Sequence, residues 1–394
     1  TPWCCDGHDT GALFRHPSTG ILTIVYAGIG SGVGPYCGTA GTQGPFYNDS
    51  SSTTGLEWGS RQRVPASFTP SEITGGYDSS GTLHFMGSLQ CTDAGGHNSN
   101  KNYYRRTSGG TWSAYQGLIR VDPAGCNFGS SNQLTWGPPH PGVLVVSGSA
   151  LHLVWKRLID NTINATDPFY AKSTDGGTTW RSADGTASFS TAAPLQGVCN
   201  GTTGLNDYPT AYRVMTGNGG AGISTGALSS GVPIAATYVV GAGMRFYRWV
   251  SGTTWTPSTI DASGYEISAV LETSNGTLLA YGNDLSWIVY EYKSTNGGTT
   301  WTKTPLQGAP GSGKQQRWVQ ARRFANLAGK ERIIVQWNVI NDASTYALPN
   351  DVYIMDRPQG ASGVPLAPSN LIVHGLWLLG FMALAARVLW RARA

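Results

Sequence analysis

One turn, written twice, constrains this chain more than any other feature. Ser173-Thr-Asp175-Gly-Gly177-Thr-Thr-Trp180 returns as Ser294-Thr-Asn296-Gly-Gly298-Thr-Thr-Trp301. Each residue type has a physical task. Asp175 or Asn296 offers a side-chain oxygen to the backbone N–H groups of its own turn. Gly177 and Gly298 supply the positive φ that such a turn needs. Trp180 and Trp301 fold a large ring under the turn and open the returning strand. Weaker copies keep only glycine and tryptophan three apart, at Gly55/Trp58, Gly109/Trp112 and Gly252/Trp255. The five tryptophans recur at intervals of 46 to 75 residues, the size of a four-stranded repeat with variable loops.

Alternating or apolar runs precede each of these turns. Ile21–Ala27, Thr82–Met86, Val143–Trp155, Pro233–Val240, Thr277–Tyr281 and Arg332–Trp337 read as strands. Turn pairs introduce them, as at Ser80-Gly81 and Asn275-Gly276. Grouped with the tryptophan turns, they count six units, the last ending in Asp351-Val-Tyr-Ile-Met355. No helix-period run occurs before residue 371. The chain is thus predicted all-β over residues 1–357.

The S-x-D/N-x-G-x-T-W turns resemble the Asp-boxes, or BNR repeats, of sialidase-like β-propellers. The resemblance implies a six-bladed propeller in which Ser173, Asp175, Gly177, Trp180, Ser294, Asn296, Gly298, Trp301, Trp58, Trp112 and Trp255 are structural. It also implies what a sialidase site requires. Three arginines clamp the substrate carboxylate, a Tyr/Glu couple supplies the nucleophile, and an aspartate acts as acid and base. The candidates here are Arg15, Arg213, Arg245 and Arg317, with the adjacent pair Tyr265-Glu266. Arg15 lies one strand too late for the family's first arginine motif. Neighbours on a strand point to opposite faces, which argues against Tyr265 and Glu266 as a couple. With only 22 acidic residues, the carboxylate supply for a glycosidase is thin.

Composition excludes other classes. Charged residues make up 12% of the 394, yet 14 Trp, 18 Tyr and 10 Phe make this a core-forming chain, not a disordered one. Net charge is +4, and Arg387, Arg391 and Arg393 of the tail carry three of those charges, so nucleic acid is not an expected partner. The six cysteines, Cys4, Cys5, Cys37, Cys91, Cys126 and Cys199, have no zinc spacing and are disulfide candidates in an oxidising compartment. The seven histidines show no ligand pattern, so no metal or cofactor is expected beyond structural calcium in a loop.

Leu371 to Leu389 is a run of 19 residues interrupted only by His374 and Arg387. At about 1.5 Å rise per residue a helix over it spans the bilayer's hydrocarbon core. Trp377 suits an interface, and Arg391 and Arg393 mark a cytoplasmic side. The domain plan is a propeller over 1–357, a Pro/Gly/Ser linker over 358–370, a transmembrane helix over 371–390 and a basic tail over 391–394. Val364-Pro-Leu-Ala-Pro368 before an apolar helix and an arginine cluster resembles the PEP-CTERM sorting tails of bacteria. The expected protein is therefore single-pass in the cell membrane, with its large domain periplasmic or extracellular. Its expected role is that of a non-catalytic binding or scaffold subunit. It would sit beside the bilayer, other membrane-complex subunits or an envelope polymer, and photosystem-assembly-factor-type propellers are one resemblance. The alternative is a surface exo-sialidase or related glycoside hydrolase.

Overall fold

The computed structural model describes residues 12–27, 45–53, 57–65, 70–89, 101–120, 139–158, 165–200, 205–306, 315–325, 331–340 and 351–358. Over these the chain is an all-β propeller built of consecutive antiparallel meanders. The first comprises β1 (Ala12–Arg15), β2 (Leu22–Ala27), β3 (Pro45–Asp49) and β4 (Gln62–Arg63). The second comprises β5 (Pro70–Tyr77), β6 (Leu83–Leu89), β7 (Lys101–Arg106) and β8 (Trp112–Arg120). The third has β9 (Pro139–Ser147), β10 (Ala150–Leu158), β11 (Ala165–Ser173) and β12 (Thr179–Arg181), followed by short β13 (Ser188–Ser190), β14 (Leu195–Gln196), β15 (Val198–Asn200) and β16 (Leu205–Asp207). The fourth is β17 (Asn218–Ala227), β18 (Pro233–Val239), β19 (Gly243–Ser251) and β20 (Thr254–Asp261). The fifth is β21 (Gly264–Glu272), β22 (Leu278–Asp284), β23 (Val289–Ser294) and β24 (Thr302–Pro305). The last described group is β25 (Gln315–Ala325), β26 (Glu331–Ile340) and β27 (Asp351–Pro358).

The first strands of successive meanders lie side by side: β5 packs on β1, β9 on β5, β17 on β9, β21 on β17 and β25 on β21. The described strands form five sheets of three or more strands plus a two-stranded ribbon. The sheet count falls below the repeat count because Ala165 and Thr166 of β11 pair with Gly219 and Asn218 of β17. That contact joins the third and fourth meanders into one nine-stranded sheet. The sequence run Val143–Trp155, read as one strand, is two: Gly148, at φ 61°, turns the chain between β9 and β10. Among the described residues the only helix is a 3-10 turn at Thr210–Tyr212, and none is long and apolar enough to cross a membrane. Residues 359–394, including the apolar run, lie outside the described residues, as do Cys4, Cys5, Cys37, Cys91 and Cys126. Cys199 is placed on β15, its side chain undescribed.

The core lies between meanders, not within them. On β22, Leu278 and Ala280 join the cluster shared with the fourth meander, while Leu279 and Tyr281 join Val335 of β26 on the other side. Period-two alternation thus feeds both faces of each sheet, and both faces are covered. The cluster between the second and third meanders is the largest in aromatic content, with Tyr103, Trp155, Phe169 and Trp180 at full burial.

The repeated turns close these interfaces. Ser173 and Asp175 form a local network: Asp175 Oδ1 accepts from the N–H groups of Thr178 at 3.1 Å and Thr179 at 2.9 Å. The Trp180 indole N–H returns to the Gly177 carbonyl at 3.0 Å, and Trp301 does the same to Gly298 at 3.0 Å. Each turn then docks on the third strand of the meander before it. The Tyr103 hydroxyl and Arg105 Nη1 both reach the Gly176 carbonyl at 3.2 Å. Tyr103 is in turn held by His84 Nδ1 at 2.6 Å, and His84 Nε2 by Asp78 Oδ2 at 3.1 Å. Gly298 sits against the Phe246 ring in the same way. The weaker copies differ. The indole on the Gly252 carbonyl belongs to Trp249, not to Trp255, which packs instead on Tyr170. Trp112 is only half-buried, as is Trp58, which makes an isolated bridge with Ser50.

Candidate functional site

The strand order gives the propeller two unlike ends. Turns joining first to second strands, and third to fourth, share one end with the repeated Ser/Thr/Gly turns; this is the box end. Turns joining second to third strands, and the crossings between meanders, share the other, the rim end. Glycine- and serine-rich tips such as Ser251-Gly252-Thr253 occupy the box end.

The rim end of the fourth and fifth meanders gathers the chain's chemistry. Lys156, near the end of β10, is fully buried and donates to the Gly222 carbonyl on β17 at 2.7 Å. Burial pushes its ammonium down to about 7, against the pull of the Glu266 charge. Glu266 of β21 packs its Cγ against Gly222 and accepts from Asn283 Nδ2 of β22 at 3.4 Å. Thr237 adds a hydroxyl to the Gly222 carbonyl at 3.4 Å. Gly222, at φ 82°, is required here: a Cβ would strike the backbone of Ile267.

Beside this polar seam stands an aromatic one. Tyr265 meets Tyr238 of β18 at 5.5 Å between centroids and Trp287 at 5.2 Å, both in tilted or edge-on geometry. All three rings are half-buried. Trp287 is one of two non-glycine residues at positive φ, 58°, among the described residues. Asp284 forces that conformation. Its Oδ1 accepts from Ser286 N at 2.9 Å and Ile288 N at 3.3 Å, and its carbonyl accepts from Trp287 N at 2.9 Å. Asp167 is the other, also at the rim end, where its Oδ1 accepts from Gly217 N at 2.8 Å.

Sequence reasoning reached part of this site. Tyr265 and Glu266 diverge as strand alternation requires, one into the aromatic seam and one into the polar seam. Arg15 is at the box end, its Nε donating to the Gly20 carbonyl at 3.4 Å. Arg213 Nη2 donates to Asp207 at 2.9 Å, its Nε lies 3.7 Å from Asp167, and its guanidinium stands 5.7 Å over Phe169. Arg245 Nη1 donates to Thr259 at 2.5 Å, along its own sheet. Arg317 is on β25, its side chain outside the described residues. Arg15, Arg213 and Arg245 share no described partner, and Arg15 is at the wrong end to join the other two. Lys156 was missed, although a lysine continuing the strand directly after Leu151–Trp155 was its signal. Trp287 and Tyr238 were missed because a turn tip and a strand end carry no periodicity. Among the described residues, no group of three His, Cys, Asp or Glu side chains forms a metal site.

No protein-family model matches the chain, and no curated protein matches it in sequence. Among solved structures it is similar to an α-L-arabinanase from Penicillium chrysogenum, complexed with arabinobiose, at 14% identity and TM-score 0.49, covering 90% of this chain and 95% of that one. It is also similar to the Aleuria aurantia lectin, a six-bladed β-propeller with fucose recognition, at 11% identity and TM-score 0.45, covering 90% and 93%. AofleA from Arthrobotrys oligospora gives 10% identity and TM-score 0.48, covering 89% and 86%. Identities and scores this low say nothing of a shared ligand.

Proposed function

We propose that this chain is a six-repeat, membrane-tethered propeller that binds a partner at its rim end and performs no chemistry on it. One observation carries the reading. The sialidase candidates are not brought together among the described residues: Arg15, Arg213 and Arg245 hold local partners, Tyr265 and Glu266 serve different seams, and the hydrogen-bonded pair Tyr281–Glu291, at 2.9 Å, is buried in the core. What the rim end presents instead is a half-buried aromatic surface beside a buried polar seam, a surface that can hold a ligand. The Leu371–Leu389 run supplies the tether on this reading, with the propeller extracytoplasmic. An envelope polymer or a subunit of a membrane complex is the partner class.

Full-length protein in mild detergent tests both parts. Fluorogenic sialosides and arabinosides should give no release above the buffer blank. After reconstitution, the protein should float with phosphatidylcholine vesicles. Turnover abolished by Tyr265→Phe or Glu266→Gln would overturn the non-catalytic reading. Failure to float would overturn the tether.

A further inference from the structure

We infer that the rim-end platform of Tyr238, Tyr265 and Trp287 is a binding site for an uncharged saccharide chain. The inference rests on the non-catalytic binding reading and names the ligand class of that same surface.

The platform is built, not incidental. A bulky residue at positive φ is strained and persists only where its surroundings impose it. Here the Asp284 turn imposes it and sets the Trp287 ring against Tyr265. Core packing does not demand this, because Trp287 remains half-exposed. The adjoining tips carry two of the four exposed large hydrophobics of the described chain, Val240 at 50% and Leu285 at 70%.

Charge decides the ligand class. The tips Val240-Gly-Ala242, Ala262-Ser263 and Leu285-Ser286 carry no charged side chain. Of the carboxylates beside these tips, Asp261 and Asp284 are both tied to Lys303 Nζ, at 2.7 and 3.6 Å, and Glu266 turns into the polar seam, where it accepts from Asn283. Burial alone would raise Asp261, but bonds from Lys303, Ser263 and Tyr292 outweigh it and keep its carboxyl below the ordinary value. Arg245 turns along its own sheet to donate to Thr259. A carboxylate sugar, or any polyanion, would have to draw Arg245 off Thr259 or Lys303 off its two carboxylates to find a cation here. A neutral pyranose fits: its C–H face is apolar and stacks on an aromatic ring, while its hydroxyl edge stays in water or meets tyrosine hydroxyls. Tyr238 and Trp287 each meet Tyr265, at 5.5 and 5.2 Å, so the platform joins three rings from two meanders and suits a chain of sugars.

A lipid surface fits less well. β27 runs from the rim end to the box end and delivers the chain there at Pro358. The segment leading to Leu371 therefore leaves from the end opposite the platform. On the tethered reading the platform faces away from the bilayer, toward the envelope.

The test uses full-length protein and a panel of neutral tetrasaccharides: β-1,4-linked glucose, N-acetylglucosamine and mannose, and α-1,4-linked glucose. Sialyllactose and phosphatidylcholine vesicles serve as the contrasting probes. Calorimetry should show binding of at least one neutral member, changed little by added salt because no ion pair is made. Trp287→Ala and Tyr265→Leu should each weaken it by about tenfold or more, the loss of roughly one stacked ring. Leu285→Ser should weaken it less, and all three variants should keep the parent's far-ultraviolet spectrum and cooperative unfolding. Binding by no neutral member, binding that survives both ring substitutions, or preference for sialyllactose would overturn the inference. So would protection of the tips by vesicles alone. New reducing ends on a bound tetrasaccharide would overturn the non-catalytic reading and leave the platform standing.

Discussion

Gly177→Ala should cost the protein roughly 2–5 kcal/mol, among the largest losses available to a single methyl group in this chain. Two terms add. Gly177 sits at φ 83°, where an L-residue pays about 1–2 kcal/mol. Its new Cβ would also land on the Tyr103 hydroxyl and ring, a fully buried side chain that His84 already fixes. Overpacking of that kind costs about 1–3 kcal/mol. Gly185→Ala is the control. Gly185 has a similar φ, 80°, but a Cβ there meets nothing within 4 Å, so only the backbone term of about 1–2 kcal/mol applies. Urea unfolding of the two variants beside the parent measures the difference. Equal losses would mean that the turn does not lock onto the neighbouring meander.

Lys156 gives the second large effect, and its sign is fixed. The unfolded lysine has the ordinary value of 10.5, and the folded one is pushed down to about 7 by burial. Between those values the unfolded chain binds more protons, so stability rises with pH across that window. From pH 7 to 9.5 the gain is about 3 kcal/mol, at about 1.4 kcal/mol per unit where the slope is full. Above pH 10 the trend reverses. Burial raises Tyr103, Tyr104, Tyr170 and Tyr292, so these tyrosines keep their protons when folded and stabilise less as the unfolded chain ionises. Lys156→Met should flatten the rise between pH 7 and 9.5 in chemical denaturation and leave the fall above pH 10. A variant that kept the rise would assign it to another group.

The fold was legible where local chemistry repeats. The Ser/Asp/Gly/Trp turns announced themselves because a side-chain oxygen, a positive φ and a buried indole must coincide within eight residues. The strands were legible because alternation feeds both faces of each sheet, as Leu278 to Tyr281 show. Other features depend on partners distant in sequence and left no local mark. The Gly176 carbonyl finds Tyr103 and Arg105 across more than 70 residues. The β11–β17 join that fuses two meanders rests on two residue pairs in irregular sequence. Degenerate copies also misled: Gly252/Trp255 keeps the spacing, but Trp249 takes the hydrogen bond. At the site, strand alternation already set Tyr265 and Glu266 apart, and they do work apart. The platform needed Trp287, whose placement comes from one aspartate capping a turn, a signal of five residues with no period.

Hydrogen exchange on the full-length protein in its native membranes, compared with the same protein after detergent extraction and washing, bears most directly on which end engages a partner. In native membranes, amides at 238–243, 262–265 and 285–288 should exchange more slowly, while those at 174–179 and 295–300 stay unchanged. Protection of the Ser/Thr/Gly turns with open rim-end tips would place the binding surface at the wrong end and contradict the account.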